Sequence, residues 1–112
     1  MQDTLDLLEH LIQFDSSSQH TANETIDYCA DWLQKEGLAS EIIINNGYKM
    51  LVCNVGEGNK KLVLNGHVDV VSGKKHQFTP QIEDGKIYGR GSADMKAGVA
   101  SFMVAMRDLN NI

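Results

Sequence analysis

The sequence is poor in the features that mark several large functional classes. It has no basic field: Lys and Arg total 10 against 15 Asp and Glu, for a net charge of −5. The only basic pairs are Lys60-Lys61 and Lys74-Lys75, so nothing recruits the phosphates of a nucleic acid. It has no apolar run long enough to cross a bilayer. The start, MQDTLDLL, is acidic and lacks the basic n-region of a secretory signal. It has only 2 cysteines, Cys29 and Cys53, which form no Cys-x-x-Cys pair. Without an export signal, both read as reduced core thiols of a cytoplasmic protein. What remains is a soluble globular composition, 42% hydrophobic and 22% charged over 112 residues, the size of one small domain.

Residues 3–14, DTLDLLEHLIQF, place Leu5, Leu8, Leu11 and Ile12 at helical spacing, with Asp3 or Thr4 as cap. After the polar break DSSSQ, Thr21-Ala22-Asn23-Glu24 reads as a capping box opening a second helix to about Glu36. Ile26, Cys29, Ala30 and Leu33 form its apolar stripe, and Gly37-Leu38 reads as a left-handed C-terminal cap. The period then changes. Glu41–Ile44 is rich in β-branched residues and reads as a strand, Asn45-Asn46-Gly47 signals a hairpin, and Met50–Val55 is the return strand.

Lys61–Asn65 reads as a third strand, apolar on both faces and therefore central in a covered sheet. A loop, Ser72–Thr79, follows. A compact hairpin then turns at Asp84-Gly85, with Ile82 opposite Ile87 and Glu83 opposite Lys86. After a Gly-rich loop, a last helix from about Lys96 carries Val99, Phe102, Met103, Met106 and Leu109 on one face. This order predicts an α/β fold, a three-layer mixed sheet flanked by helices. A return strand would normally follow the last helix, so the chain reads as the opening part of a larger domain.

Two stretches carry chemistry. In KLVLNGHVDVV, His67 and Asp69 stand two residues apart and project together beyond the end of a strand, the edge where α/β sheets bind ligands. A neutral imidazole can hold zinc through one nitrogen while its other N–H donates to a carboxylate. Alone, the pair reads more simply as a strand-end histidine and a turn aspartate with no ligand. In GRGSADMKAG, residues 89–98, there is no Gly-Lys-[Ser/Thr] of a phosphate loop. Asp94 stands where a dinucleotide fingerprint needs its third glycine, and its charge would repel a pyrophosphate. Asp94 is either a helix N-cap or a carboxylate presented to a metal. Arg90 reads as structural, with carboxylate binding the alternative. Lys96 reads as a solvated first-turn residue, and His10 and His20 as solvated. His76 lies in the 72–79 loop and could approach the site. Tyr28 and Trp32 read as core or layer-covering residues.

Together, GHVDVV and DGKIYGRGSADMKAG resemble the zinc-dependent family of acetylornithine deacetylase, succinyl-diaminopimelate desuccinylase, aminoacylase and carboxypeptidase G. The resemblance runs over nearly the whole chain and implies the N-terminal part of a zinc-exopeptidase-like catalytic domain. It implies that His67 binds one zinc, that Asp69 orients His67 as an active-site residue, and that Asp94 bridges two zinc ions, with cobalt as an alternative metal. It also implies a cis peptide bond after Asp94. The activity implied is hydrolysis of the amide of an N-acyl amino acid or small peptide, by a cytoplasmic homodimer with no nucleic-acid or membrane partner.

The chain departs from the family pattern in two ways. The loop after His-x-Asp lacks a tryptophan and leaves Phe78-Thr79-Pro80 alone. The general-base glutamate, the other acidic ligands, the distal histidine and the dimerisation domain of the family lie beyond this helix. The 112 residues are therefore expected to bind zinc weakly and to turn over nothing. The competing reading is a non-catalytic product that serves as a metal- or partner-binding module. Nucleotide binding by the Gly loop is disfavoured by Asp94.

Overall fold

Three helices supply most of the buried residues in the computed structural model, which describes residues 1–112. Helix α1 (Gln2–Ile12) buries Leu7, Leu8, Leu11 and Ile12. Leu7 takes the place expected for Leu5. The helix starts before Asp3 and Thr4, so neither caps it. Asp3 instead pairs with Arg107 at 2.9 Å, tying the first turn of α1 to the last helix.

Helix α2 (Gln19–Lys35) begins three residues earlier than the capping-box reading placed it. Ser18 has extended backbone angles, and its Oγ accepts the backbone N–H of Thr21. Ser18 and Thr21 are both competent caps, and the more N-terminal one is used. Glu24 then sits inside the helix and pairs with His20 one turn back at 2.8 Å. Ala22, Thr25, Cys29 and Leu33 face the core. The C-terminus ends as expected: Gly37 has φ +84°, and the N–H of buried Leu38 reaches back to the Leu33 carbonyl at 2.9 Å.

Strands β1 (Ser40–Asn45) and β2 (Tyr48–Cys53) form an antiparallel hairpin. Its two-residue turn uses Asn46 and Gly47, both with positive φ. Asn23 of α2 clasps this turn: its Oδ1 accepts the N–H of Lys49 and its Nδ2 donates to the Gly47 carbonyl. The second hairpin, β3 (Gln81–Glu83) and β4 (Lys86–Tyr88), has the expected register, with Ile82 opposite Ile87 and Glu83 opposite Lys86. A short 3₁₀ turn (Lys75–Phe78) precedes it. Helix α3 (Ala97–Asn110) closes the fold on α1.

The result is an α/β chain with two separate two-stranded sheets. Two expectations are corrected. Lys61–Asn65 is not a paired strand, and Leu62 and Val63 are 87% and 81% exposed. A strand exists only through its hydrogen-bonded neighbours, and no other segment of the chain pairs with this one. The buried face of α3 is Ala100, Met103 and Val104, while Leu109 is exposed. AGVASFMVAM is apolar almost all round, so periodicity did not single out the face that meets α1. Tyr28 and Trp32 are layer-covering residues, packed against the core. Tyr28 stacks on His10, and Trp32 receives the Arg107 guanidinium. No helix is long and apolar enough to cross a membrane.

Both cysteines are free thiols. Burial pushes Cys29 up to about 12, and Lys96 offsets only part of that rise. The thiolate is the reactive form. In the folded chain at neutral pH, iodoacetamide should therefore label the half-buried Cys53 and spare Cys29, which reacts only in denaturant. Intact-mass spectrometry of native samples reads this directly, and rapid double labelling would contradict the packing.

Candidate metal centre

The site is assembled from two loops. The first is the stretch around His67, Val68 and Asp69. Alternation decides its orientation: Val68 is buried at 6% exposure, which turns its neighbours His67 and Asp69 outward together. The second is the turn Ser92–Lys96, a single wide π-type turn before α3. Within it Asp94 and Met95 leave helical geometry, with φ −122° and −138°, and the Asp94–Met95 peptide bond is cis. The N-cap reading of Asp94 is thereby corrected. The N-cap position belongs to Lys96 and has no side-chain cap, because the Asp94 backbone is turned out of the helix and its carboxylate points to His67.

The Gly-rich loop is glycine-rich for close approach. Gly91 has φ +78°, and a Cβ there would run into the Val70 side chain. A Cβ on Gly89 would stand 2.5 Å from Ile12 Cγ2 of α1. These glycines let the Asp94 turn lie against the His67 segment and α1. Arg90, between them, behaves structurally. Its N–H donates to the Gln77 carbonyl at 2.7 Å, and its Nη2 reaches Gln77 Oε1.

The three residues expected at the site come together. His67 Nδ1 faces the Asp69 carbonyl at 3.1 Å and Asp69 Oδ1 at 3.2 Å. His67 Nε2 faces Asp94 Oδ1 at 3.0 Å. They open on a cleft of about 470 Å³ floored by Val70, Val71 and the Gly89–Ala93 loop. The Asp94 side chain is 90% exposed and Asp69 71%, so both carboxylates are within reach of an ion from solvent. His76 does not join them. It lines a neighbouring cleft with Glu83 and Tyr88. His10 stacks on Tyr28 and is occupied there, and His20 is taken by Glu24.

Both ring nitrogens of His67 face oxygen acceptors. A neutral imidazole has one N–H and can satisfy only one of them. Burial lowers the affinity of the ring for a second proton. The bonds to the Asp69 carbonyl and to Asp94, with the two carboxylate charges, outweigh that and raise His67 above its ordinary value. The arrangement calls for a positive charge between Nε2 and Asp94, carried either by a proton or by a cation. A metal ion suits the donor set: an imidazole nitrogen and a carboxylate oxygen converge, and Nδ1 is already engaged by Asp69. The fit is partial, since His67, Asp69 and Asp94 meet but do not form a three-ligand group for one ion, and a catalytic zinc normally takes three protein ligands.

Two residues of the site's support were not foreseen. Lys96 is fully buried rather than solvated, and its Nζ donates to the Phe14 carbonyl at 3.0 Å. Burial lowers it to about 8 against the opposing pull of Asp15. Ser16 is also fully buried. In the sequence nothing separates Ser16 from Ser17 and Ser18, and no helical pattern distinguishes a buried lysine from a solvated one.

A histidine braced by one carboxylate and aimed at another supplies donors of the kind that metal-dependent hydrolases use. Comparison with known proteins gives the same class. Residues 63–112 match peptidase family M20/M25/M40. Similarity to curated proteins runs over nearly all of the chain. A probable succinyl-diaminopimelate desuccinylase of Staphylococcus epidermidis is 32% identical over 115 residues, covering 96% of this chain and 28% of that protein. The succinyl-diaminopimelate desuccinylase of Wolbachia pipientis wMel is 37% identical, covering 96% of this chain and 28% of that protein. That of Rickettsia canadensis is 38% identical, covering 94% and 30%. The chain thus spans less than a third of the length of these relatives.

Gly91→Ala tests the packing that joins the two loops. The added methyl meets Val70 and the backbone is held at positive φ, so the variant should lose about 1–3 kcal/mol of stability. Thermal or urea unfolding measures it. A melt equal to that of the parent would show that the loop does not need its glycine.

Proposed function

We propose that this chain is the N-terminal portion of the catalytic domain of a metal-dependent amidohydrolase that removes the acyl group from an N-acyl amino acid. The observation that carries the reading is the environment of His67, with an oxygen acceptor facing each ring nitrogen, so that a proton or a metal ion is needed between Nε2 and Asp94. The succinyl-diaminopimelate type is favoured among substrates by the names of the relatives. Acetylated amino acids and small peptides are the neighbouring choices within the same chemistry.

In this reading His67 and Asp94 hold the metal, and Asp69 fixes the imidazole so that Nε2 presents its lone pair. Asp94 would be the shared ligand of a two-ion site, zinc by preference and cobalt as a substitute. Bound metal would supply Lewis acidity at the acyl carbonyl and a low-pKa water. The remaining work falls to protein groups. Asp69 holds the ring proton on Nδ1 and so keeps one tautomer. The cleft leaves the metal face open for substrate. Accepting a proton from water requires a general base, and no glutamate of this chain lines the cleft.

The base, the remaining ligands and the dimer interface are assigned to the further two-thirds that the relatives possess. The three-layer sheet belongs to the same proposal. Lys61–Asn65, apolar on both faces, would become a central strand once neighbours pair with it. The complete protein is placed in the cytoplasm, with a small-molecule substrate.

The test begins with metal binding. Calorimetry with Zn²⁺, or visible spectra with Co²⁺, should show a weak site on the 112-residue chain that His67→Ala and Asp94→Ala abolish. Asp69→Asn should weaken it about 10–100-fold. The chain alone should leave N-succinyl-diaminopimelate intact. In a complete protein containing this segment, chelation should stop desuccinylation, and Zn²⁺ or Co²⁺ should restore it. Metal binding that survives His67→Ala and Asp94→Ala would refute the assignment.

A further inference from the structure

The two loops of the site have no hydrogen bond to each other except the His67–Asp94 contact itself. The segment leading into His67 cannot place it, because Lys61–Asn65 is unpaired and Leu62 and Val63 are exposed. Something else fixes the separation of the two donors. Both loops are pinned to the same short ledge between α1 and α2. Buried Ser16 donates its hydroxyl to the Val68 carbonyl at 2.6 Å and accepts the N–H of Val70 at its own carbonyl at 3.2 Å. These bonds bracket Asp69 and adjoin His67. Two residues earlier, the Phe14 carbonyl accepts the buried Nζ of Lys96. The N–H of Lys96 closes the Asp94 turn onto the Gly91 carbonyl at 2.9 Å.

We infer that Ser16 is a positioning residue of the metal centre: its two bonds to the Val68–Val70 segment set His67 and Asp69 at the right distance from Asp94, while Lys96 anchors the Asp94 turn to the same ledge. This deepens the metal-site reading and rests on it for its function. Ser16 touches no substrate and no metal; it acts through the backbone on either side of Asp69. A ledge of three residues, Phe14 to Ser16, joins parts of the chain 52 and 82 residues away. A shift of one end of the ledge therefore moves one donor relative to the other. Supports of metal ligands that act at this remove typically change affinity 10–100-fold when lost.

The experiment uses the ¹⁵N-labelled 112-residue chain without metal at one fixed pH. The His67 ring nitrogen signals are assigned by their loss in His67→Ala. Ser16→Ala should shift both signals, as the ring loses its fixed partners, and lower Co²⁺ affinity at least about tenfold. Ser16→Cys, with similar size and a weaker donor, should fall between parent and Ser16→Ala. Ser17→Ala, which removes an exposed hydroxyl bonded only to Asp15, should leave ring signals and affinity as in the parent.

Unchanged His67 signals in a folded Ser16→Ala chain would overturn the inference, even if its melting temperature drops, because Ser16 would then be only a packing residue. Unfolding of both Ser16→Ala and Ser16→Cys would overturn it as well. If the parent chain takes up no Co²⁺, the metal reading fails. The ring signals of the metal-free variants still decide the role of Ser16.

Discussion

The constraint on which the site depends is that His67 has two ring nitrogens and an oxygen acceptor before each. An imidazole so placed is not at rest as a neutral ring, since one of the two contacts sets a lone pair against an oxygen. The chain accepts that mismatch by building both contacts at the surface, where Asp69 and Asp94 remain largely hydrated. In a dry core the same pairing of one histidine with two carboxylates would carry a heavy desolvation cost. Hydration makes the arrangement tolerable without a metal, and exposure makes it accessible to one. The surrounding structure then has one task, to keep the three side chains from relaxing apart.

Under the proposed function, that task accounts for two of the polar side chains buried in the chain, Ser16 and Lys96. Ser16, Thr25 and Lys96 are the polar residues with essentially no exposure. Thr25 returns its hydroxyl to its own helix, a purely local solution. Ser16 and Lys96 instead direct theirs to distant backbone, one for each loop of the site. Burying a lysine is unfavourable enough to pull its pKa to about 8. A leucine of similar volume would pack the same space without that cost. The residue is explained by what its ammonium reaches, the Phe14 carbonyl in the turn after α1, which accepts no backbone N–H.

Much of the fold was legible in the sequence because it is governed by local rules. Gly37, Asn46-Gly47 and Asp84-Gly85 adopt the left-handed conformations that their residue types favour, and the register of the second hairpin follows. The convergence of His67 and Asp69 was legible for the same reason, since the period of an extended chain is two. Asp94 was legible only through the resemblance. Alone it was as good an N-cap, and only the backbone turn at Asp94 and Met95 distinguishes the two roles. The illegible features all depend on partners remote in sequence. Ser16 meets Val68, Lys96 meets Phe14, and α3 chooses Ala100, Met103 and Val104 because of where α1 lies.

Lys61–Asn65 shows the same limit from the other side. Its apolar pattern is that of a strand covered on both faces, yet Leu62 and Val63 are open to solvent. Ile43, Ile44 and Met50 of the first hairpin are exposed as well. Free backbone edges beside apolar side chains invite pairing with another strand. A sequence records the environment a segment is suited to, whether or not that environment is built from the same 112 residues. The relatives are more than three times longer than the region they share with this chain. Under the proposed function, the pattern of Lys61–Asn65 and the missing donors around His67 have one explanation: sheet and metal centre are completed by the same further part of the domain. The Ser16 ledge then has a clear purpose. It holds half of the ligand set in place at the end of a segment that has, within these residues, no sheet to hold it.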